Sequence, residues 1–390
     1  MTQRPLHIAM LGSRGVPATF GGVEHHVEAL GRRLVERGHE VTVFCQSTYH
    51  RGEHGGRGEG PDGDGERLTE YRGMRLVAVP VVSSKHLEAL THSARSTFTA
   101  MRARFDIIHY HSVGPGVFSF VPRFLGRAKV VQTIHGLDAE RAKWGRAATA
   151  MLRTATWLSA RVPDVTVTVS QALADHYRQR YGRTCVAIPN GLEARPRPAA
   201  RLITERYGLS AGSYVLFVGR LVPEKCPDLL VRAFRDVPGD RRLVFAGGTS
   251  YTDDFLTRLE AEAARDPRVL LAGYVYGEAL DELYANAAAF VQPSALEGLP
   301  LTLLEAIGSE RPAIASDIPP HCEVLERDRA GGRLFHDGDK AGLTKVLTAV
   351  LADPETESRG AIELAAGVRR RYDWDAATDQ LVDLYRSVMA

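Results

Sequence analysis

Glu297 and Glu305 stand in an E-x7-E spacing around a Gly298-Leu299-Pro300 turn that opens a helical pattern. The first amides of a helix have no intrahelical acceptor, and the helix dipole adds partial positive charge there. Such a turn is a ready anion site. A carboxylate accepts hydrogen bonds and donates none. Acceptors at both ends with amide donors between them suit a ligand carrying hydroxyls at its ends and phosphates in its middle. A sugar nucleotide has that layout. Upstream, Arg220 and Lys225 follow a short apolar run. Two fixed cations can neutralise a diphosphate without a metal ion, and arginine can do so bidentately. Each feature also has a plainer reading. Glutamates flanking a helix start stabilise it as capping groups, and charged side chains in loops are mostly solvated.

The elements that must position these residues repeat one plan twice. Residues 287–291 read as the strand feeding the Pro300 turn, and 215–218 as the strand ending in Gly219-Arg220-Leu221-Val222-Pro223-Glu224-Lys225. Between them lie a helix (228–235), a strand (243–246), Gly247-Gly248, a helix (255–264), a strand (269–272) and a helix (280–285), with one more strand at 313–316. The first half opens with a strand (7–11), a glycine loop through Gly21-Gly22, a helix to about residue 37 and a strand at 41–45. A glycine- and charge-rich stretch at 49–65 reads as a surface loop. Strand 74–82, helix 87–104, strand 106–111, helix 118–125, strand 129–134 and helix 141–161 follow. Strands 165–170 and 185–188 flank a further helix. The pattern predicts an α/β chain of two doubly wound parallel-sheet halves, 1–193 and 194–373, with Arg195-Pro-Arg-Pro198 as linker. The amphipathic segment 374–390 is a candidate to pack back on the first half.

Open α/β sheets bind ligands at the carboxyl ends of their strands, and clefts between domains are favoured sites. Paired glycines before a helix let backbone approach a phosphate closely, although a plain tight turn uses them too. The first loop is not a GxGxxG fingerprint, and no acid ends the second strand, which disfavours a dinucleotide-linked dehydrogenase. The strand 106–111 ends in His109-Tyr110-His111, and the next strand ends in His135-Gly136. A single histidine at a strand end is commonly structural; several on one edge favour function.

Composition bounds the rest. The chain has 390 residues, 44% hydrophobic and 25% charged, enough for two to three ordinary globular domains. Its 49 basic and 47 acidic side chains leave a formal charge of +2, so nothing pulls it globally toward nucleic acid. Cys45, Cys185, Cys226 and Cys322 are far apart and without metal-ligand spacing. This predicts a reducing cytoplasm and no structural zinc. The apolar run 6–11 is too short for a signal segment, and no run approaches the roughly 20 apolar residues of a spanning helix. Membrane contact is therefore expected to be peripheral at most. Lys143, Trp144, Arg146, Arg153 and Trp157 have a membrane-surface composition, with a solvated helix face as the alternative.

Together these pieces resemble the two-domain (GT-B) retaining glycosyltransferases of family 4. The resemblance rests on Gly21-Gly22-Val23-Glu24, His135-Gly136, Val169-Ser170, Ile188-Pro-Asn-Gly191, Val218 through Lys225, Ala246-Gly-Gly248, and Pro293 through Pro300 with Glu305. It spans essentially the whole chain. The first half, with residues 12–22 and 106–111, looks like a subgroup linked to rhamnosyl and related transfer in cell-surface polysaccharide synthesis. The resemblance implies two Rossmann-like domains facing across a cleft, with a hexosyl or deoxyhexosyl group moving from a nucleoside diphosphate sugar to an acceptor hydroxyl. It implies no cofactor and no metal, a UDP, GDP or dTDP donor, and a sugar, glycolipid or small-molecule acceptor. By position, Gly21 and Gly22 would touch phosphates or acceptor by backbone, and His135 would sit by the donor sugar. Arg220 and Lys225, after Gly219, would hold the diphosphate. Glu297 with Gly298, Leu299 and Pro300 would hold donor-sugar hydroxyls, and Glu305 the ribose. Two departures stand out: Cys226 where a glycine usually follows the lysine, and Ser309-Glu310-Arg311 in place of a glycine-bearing turn. The same scaffold also serves a nucleotide-sugar 2-epimerase, a silent nucleotide-sugar binder or a non-glycosidic coupling enzyme.

Overall fold

A computed structural model of the chain describes residues 4–18, 21–49, 68–82, 88–137, 146–248 and 253–390. Thr19-Phe20 of the glycine loop, nearly all of the expected loop at 49–65, and the starts of the expected helices at 87 and 141–145 lie outside the described residues, as do Lys143 and Trp144. Two compact units result. Of the described residues, the first takes in those up to Asn190 together with Trp374–Ala390, and the second is Gly191–Asp373.

The first unit is built on strands β1 (His7–Leu11), β2 (Glu40–Gln46), β3 (Glu70–Tyr71), β4 (Met74–Val79), β5 (Ile107–His111), β6 (Lys129–Ile134), β7 (Val165–Thr168) and β8 (Val186–Ala187). Their order is β3-β4-β2-β1-β5-β6-β7-β8. Every pairing is parallel except β3 with β4. Parallel strands are joined by crossover helices that cover both faces, so they read as continuous apolar runs rather than alternating ones. β1 shows this: Ile8, Ala9, Met10 and Leu11 are all inaccessible to solvent. On one face Val27, Leu30 and Leu34 of the Gly22–Glu36 helix pack with Trp374, Leu381, Val382 and Tyr385 of the final helix, Trp374–Met389. The opposite face holds Phe44, Ala100, Tyr110 and Val130. Arg37 ties the final helix down through Asp379 at 2.6 Å and Asp375 at 3.2 Å.

The second unit carries β9 (Tyr214–Val218), β10 (Arg242–Ala246), β11 (Val269–Gly273), β12 (Ala289–Gln292), β13 (Ala313–Ser316) and β14 (Gly332–Phe335), ordered β11-β10-β9-β12-β13-β14. All pairings are parallel. In both units the chain fills one side of a central strand and then returns to fill the other. The strand order therefore reverses between β1 and β5 and again between β9 and β12, the switch points at which open sheets bind ligands.

Several elements differ from expectation. Strands β3 and β14 and the helices Pro319–Leu325, Lys340–Ala352 and Pro354–Arg371 carry too short or too mixed an apolar pattern to stand out in sequence. Residues 118–125 do not form one helix: a 3-10 turn at Pro115–Ser119 hands over to Phe120–Leu125. The Arg195-Pro-Arg-Pro198 stretch is pinned rather than loose, because Arg195 bonds Asp281 and Glu305 while Arg197 pairs with Glu310. Among the described residues no helix is long and apolar enough to cross a membrane.

Candidate active site

The second unit's switch point brings two of the expected residues together. Lys225 ends a 3-10 turn, Pro223–Lys225, just past β9, and Glu297 lies in the turn after β12. Lys225 Nζ donates to Glu297 Oε1. Gln292 Nε2 donates to the same oxygen at 2.6 Å, and Thr302 Oγ1 donates to Gln292 Oε1 at 3.0 Å. Thr302 thus fixes which end of the Gln292 amide faces the carboxylate. The Ala295 amide donates to Glu224 O at 3.0 Å, joining the two loops through backbone. The Glu297 side chain is only 8% exposed. Burial pushes its pKa up, but Lys225, His321 and Ser294 outweigh burial and hold it at about 2.

His321 has no counterpart in the sequence reading. It is buried, its Nδ1 lies 3.0 Å from Ser316 Oγ, and that hydroxyl donates to Ser294 O at 2.5 Å. Burial lowers its pKa to about 4, partly opposed by Glu297. It stands on the Pro319–Leu325 helix, where no local pattern marks it. Arg220 lies 3.9 Å from the Glu224 carboxylate within its own loop, and its side chain is 39% exposed. Lys225 is the cation that the Glu297 carboxylate holds directly.

Glu305 sits on the Leu301–Gly308 helix, whose cap position is Pro300 and which has no side-chain cap. Each of its oxygens already accepts one hydrogen bond: Oε1 from Arg195 Nη2 and Oε2 from the Tyr284 hydroxyl, both at 2.8 Å. Arg195 also reaches Asp281 at 2.6 Å and lies over the Tyr284 ring at 5.2 Å. Burial lowers the Arg195 pKa, yet the carboxylates more than offset it and keep the guanidinium charged. Burial and Glu305 push the Tyr284 phenol well up, so it stays a neutral donor. Gly298, Leu299 and Pro300 are buried between the two glutamates.

Both sequence departures fall where the backbone asks for glycine. Cys226 adopts φ 48 and ψ 42, and Glu310 adopts φ 58. These are left-handed conformations that cost an L residue roughly 1–2 kcal/mol. Glu310 is held there by Arg197 and by Arg369 at 3.1 Å. The turn beside Lys225 thus has the left-handed shape that favours glycine.

The first unit has its own cluster. Gly21 caps the Gly22–Glu36 helix at φ 99, and a Cβ there would fall 2.2 Å from Glu24 Oε2. Glu24 Oε1 accepts the Arg14 amide at 3.0 Å and Glu28 accepts the Ala18 amide at 2.6 Å, strapping the glycine loop to the helix start. Behind that strap, His26 contacts the His135 ring at a centroid distance of 4.5 Å and the His111 ring at 5.3 Å. His109 is held by Tyr385 at 2.6 Å and Thr133 at 2.7 Å. Burial lowers the pKa of His26 to about 4 and of His109 to about 3. It takes His111 and His135 well below 6.5, helped by the neighbouring rings. The cluster is neutral at pH 7. His109, His111 and His135 stand at strand ends legible in the sequence; His26 is helical and joins them only in the fold.

Comparison with known proteins agrees with this architecture. Residues 20–195 match the model described as Glycosyltransferase Family 4, and residues 207–363 match that of Glycosyl transferases group 1. The D-inositol 3-phosphate glycosyltransferase of Acidothermus cellulolyticus is 28% identical over 436 residues, covering 99% of this chain and 91% of that protein. The GDP-mannose-dependent alpha-(1-6)-phosphatidylinositol monomannoside mannosyltransferase of Mycolicibacterium smegmatis is 26% identical over 363 residues, 88% of this chain and 89% of that protein. The crystal structure of Anabaena HepE in complex with UDP and glucose matches with a TM-score of 0.79 at 19% identity, covering 98% of this chain and 100% of that one. The chain is a GT-B glycosyltransferase whose first half matches Glycosyltransferase Family 4 and whose second half matches Glycosyl transferases group 1.

Proposed function

We propose that the chain moves a hexosyl group, with deoxyhexosyl among the candidates, from a nucleoside diphosphate sugar to an acceptor hydroxyl, with retention at the anomeric carbon and without a metal ion. The observation that carries this reading is the Lys225–Glu297 pair at the β9–β12 switch point, next to a helix start without a side-chain cap.

The barrier is departure of a dianionic diphosphate from an oxocarbenium-like centre. Lys225 and Arg220, with Gly219 and the amides of the Gly298-Leu299 turn, neutralise that leaving group. Charge fixed before the reaction needs no reorganisation, and losing one such donor costs about 3–4 kcal/mol by comparison with oxyanion-hole deletions. Glu297, ionised and anchored, accepts from donor-sugar hydroxyls. Glu305 accepts from the ribose hydroxyls on lone pairs left free by Arg195 and Tyr284. Gly21, Gly22 and His135 serve the acceptor and the sugar end of the donor. In front-face attack the anomeric carbon–phosphate oxygen bond breaks as the bond to the acceptor oxygen forms, and the acceptor proton passes to the leaving phosphate.

The donor base lies among UDP, GDP and dTDP. A ribose-binding carboxylate favours UDP or GDP, and the rhamnosyl-type subgroup favours a deoxyhexose. The acceptor is a sugar, glycolipid or small molecule. Exposed Phe120, Phe124, Leu125, Met151 and Trp157, with Arg123 and Arg153 on the same helices, favour peripheral contact at an inner membrane face. The test is a donor and acceptor panel with the product's anomeric configuration read by NMR. A product with the donor's configuration, formed equally well with a chelator present, is expected. An inverted product, or turnover that the chelator abolishes, contradicts the reading.

A further inference from the structure

Three imidazoles of the first unit converge from separate elements: His26 from the Gly22–Glu36 helix, His111 from the end of β5, and His135 just past β6. One ligand atom from each lies within 4.8 Å of the other two. His135 Nε2 and His111 Nδ1 are 3.4 Å apart. Two nitrogens bound tetrahedrally to one zinc-class ion at about 2.0–2.1 Å stand about 3.3–3.4 Å from each other. That edge is already at coordination spacing.

Hydrogen bonding alone does not account for the cluster. His26 Nδ1 lies 2.5 Å from Asn190 Oδ1, an acceptor, so Nδ1 carries the proton and Nε2 the lone pair. His26 is 3% exposed, and its Nε2 is buried without a hydrogen-bond partner among the described residues. A desolvated nitrogen without a partner is costly and uncommon in folded proteins. Asn190 stands toward His26 as an outer partner stands toward a metal-bound histidine, fixing tautomer and ring orientation. His109, tied by Tyr385 and Thr133, backs His111 at a ring distance of 4.3 Å. The rings are neutral, the form that ligates.

We propose that His26, His111 and His135 form a site for one divalent transition-metal ion of the zinc class, with its fourth position open to water or a ligand oxygen. The site does not depend on the transfer chemistry, which needs no metal. It does predict a link to it: a bound ion takes the lone pair of His135, so occupancy slows sugar transfer rather than supporting it.

The test uses the full chain without a polyhistidine tag, stripped with chelator, then titrated with Co2+ while the visible absorption of four-coordinate cobalt is followed. Zn2+ binding is measured by calorimetry in parallel. One ion per chain with a tetrahedral-type spectrum is expected. His26→Gln and His111→Gln should each weaken binding at least about 10-fold. His25→Gln, changed at an exposed position on the same helix, should leave it intact. Circular dichroism establishes that each variant is folded, and half-buried His135→Gln serves as the ligand variant if a buried one is not. Absence of stoichiometric binding of either ion overturns the proposal. So does an adventitious ion only, shown by binding that His25→Gln weakens as much as His26→Gln or that the ligand variants leave unchanged.

Discussion

Lys225 and Glu297, 72 positions apart in sequence, share a charge-assisted hydrogen bond at the reversal of the second sheet. Each makes the other usable. Without the ammonium, a carboxylate this buried would drift toward its protonated form; without the carboxylate, a long lysine would sample solvent. Gln292 holds the carboxylate from the end of the strand, and Thr302 on the following helix holds Gln292. A ligand arriving there meets charges already fixed.

The pair sets a pH dependence. The Glu297 carboxyl titrates at about 2 in the folded chain against an ordinary 4.5. Between those values the unfolded state binds the extra proton, so the contribution to stability is complete above about 4.5 and fades as pH falls toward 2. A shift of that size corresponds to about 3 kcal/mol. Urea unfolding of the wild type and Glu297→Gln should differ most at neutral pH and converge in acid. A difference that stays constant with pH contradicts the assignment.

Glu305 depends on Arg195 and Tyr284. Tyr284→Phe removes one neutral hydrogen bond and should cost about 1 kcal/mol in chemical denaturation. Arg195→Met leaves Glu305 and Asp281 without their shared cation and should cost about 3–5 kcal/mol. Calorimetry should show Tyr284→Phe weakening a nucleoside diphosphate but not inorganic pyrophosphate, since Glu305 is assigned to the ribose. Equal loss of both ligands would move Glu305 to the phosphate side.

Much of this was legible in the sequence because the signals were local. Continuous apolar runs ending in glycine turns gave β1, β6 and β9, and the E-x7-E spacing marked one edge of the site. What stayed hidden was long-range. His321 has no neighbouring motif, and Arg195 sits in a proline-rich stretch that reads as linker until Asp281 and Glu305 are seen to grip it. His26 lies on a helix, and only the fold sets it against histidines from two strand ends.

Gly21 permits no side chain. At φ 99, with Glu24 Oε2 2.2 Å from where a Cβ would stand, Gly21→Ala strains the backbone and dislodges the carboxylate that holds the Arg14 amide. A loss of more than about 1 kcal/mol in unfolding free energy is expected. Faster proteolytic cleavage near Arg14 should accompany it. An unchanged protein would mean that the strap is not what orders the loop.

The central claim is that Lys225 and its turn hold the diphosphate of a nucleotide sugar, and the direct measurement is thermal stabilisation by UDP, GDP, dTDP and ADP. A ligand that binds only the folded state raises the melting point with its affinity. The variants to compare are wild type, Lys225→Ala and, so that no carboxylate is left unpaired, Lys225→Ala with Glu297→Gln. At least one nucleotide should stabilise the wild type, and both variants should bind it roughly 100-fold more weakly while remaining folded, the scale of one lost anion-stabilising donor. Equal stabilisation of the three proteins would contradict the account.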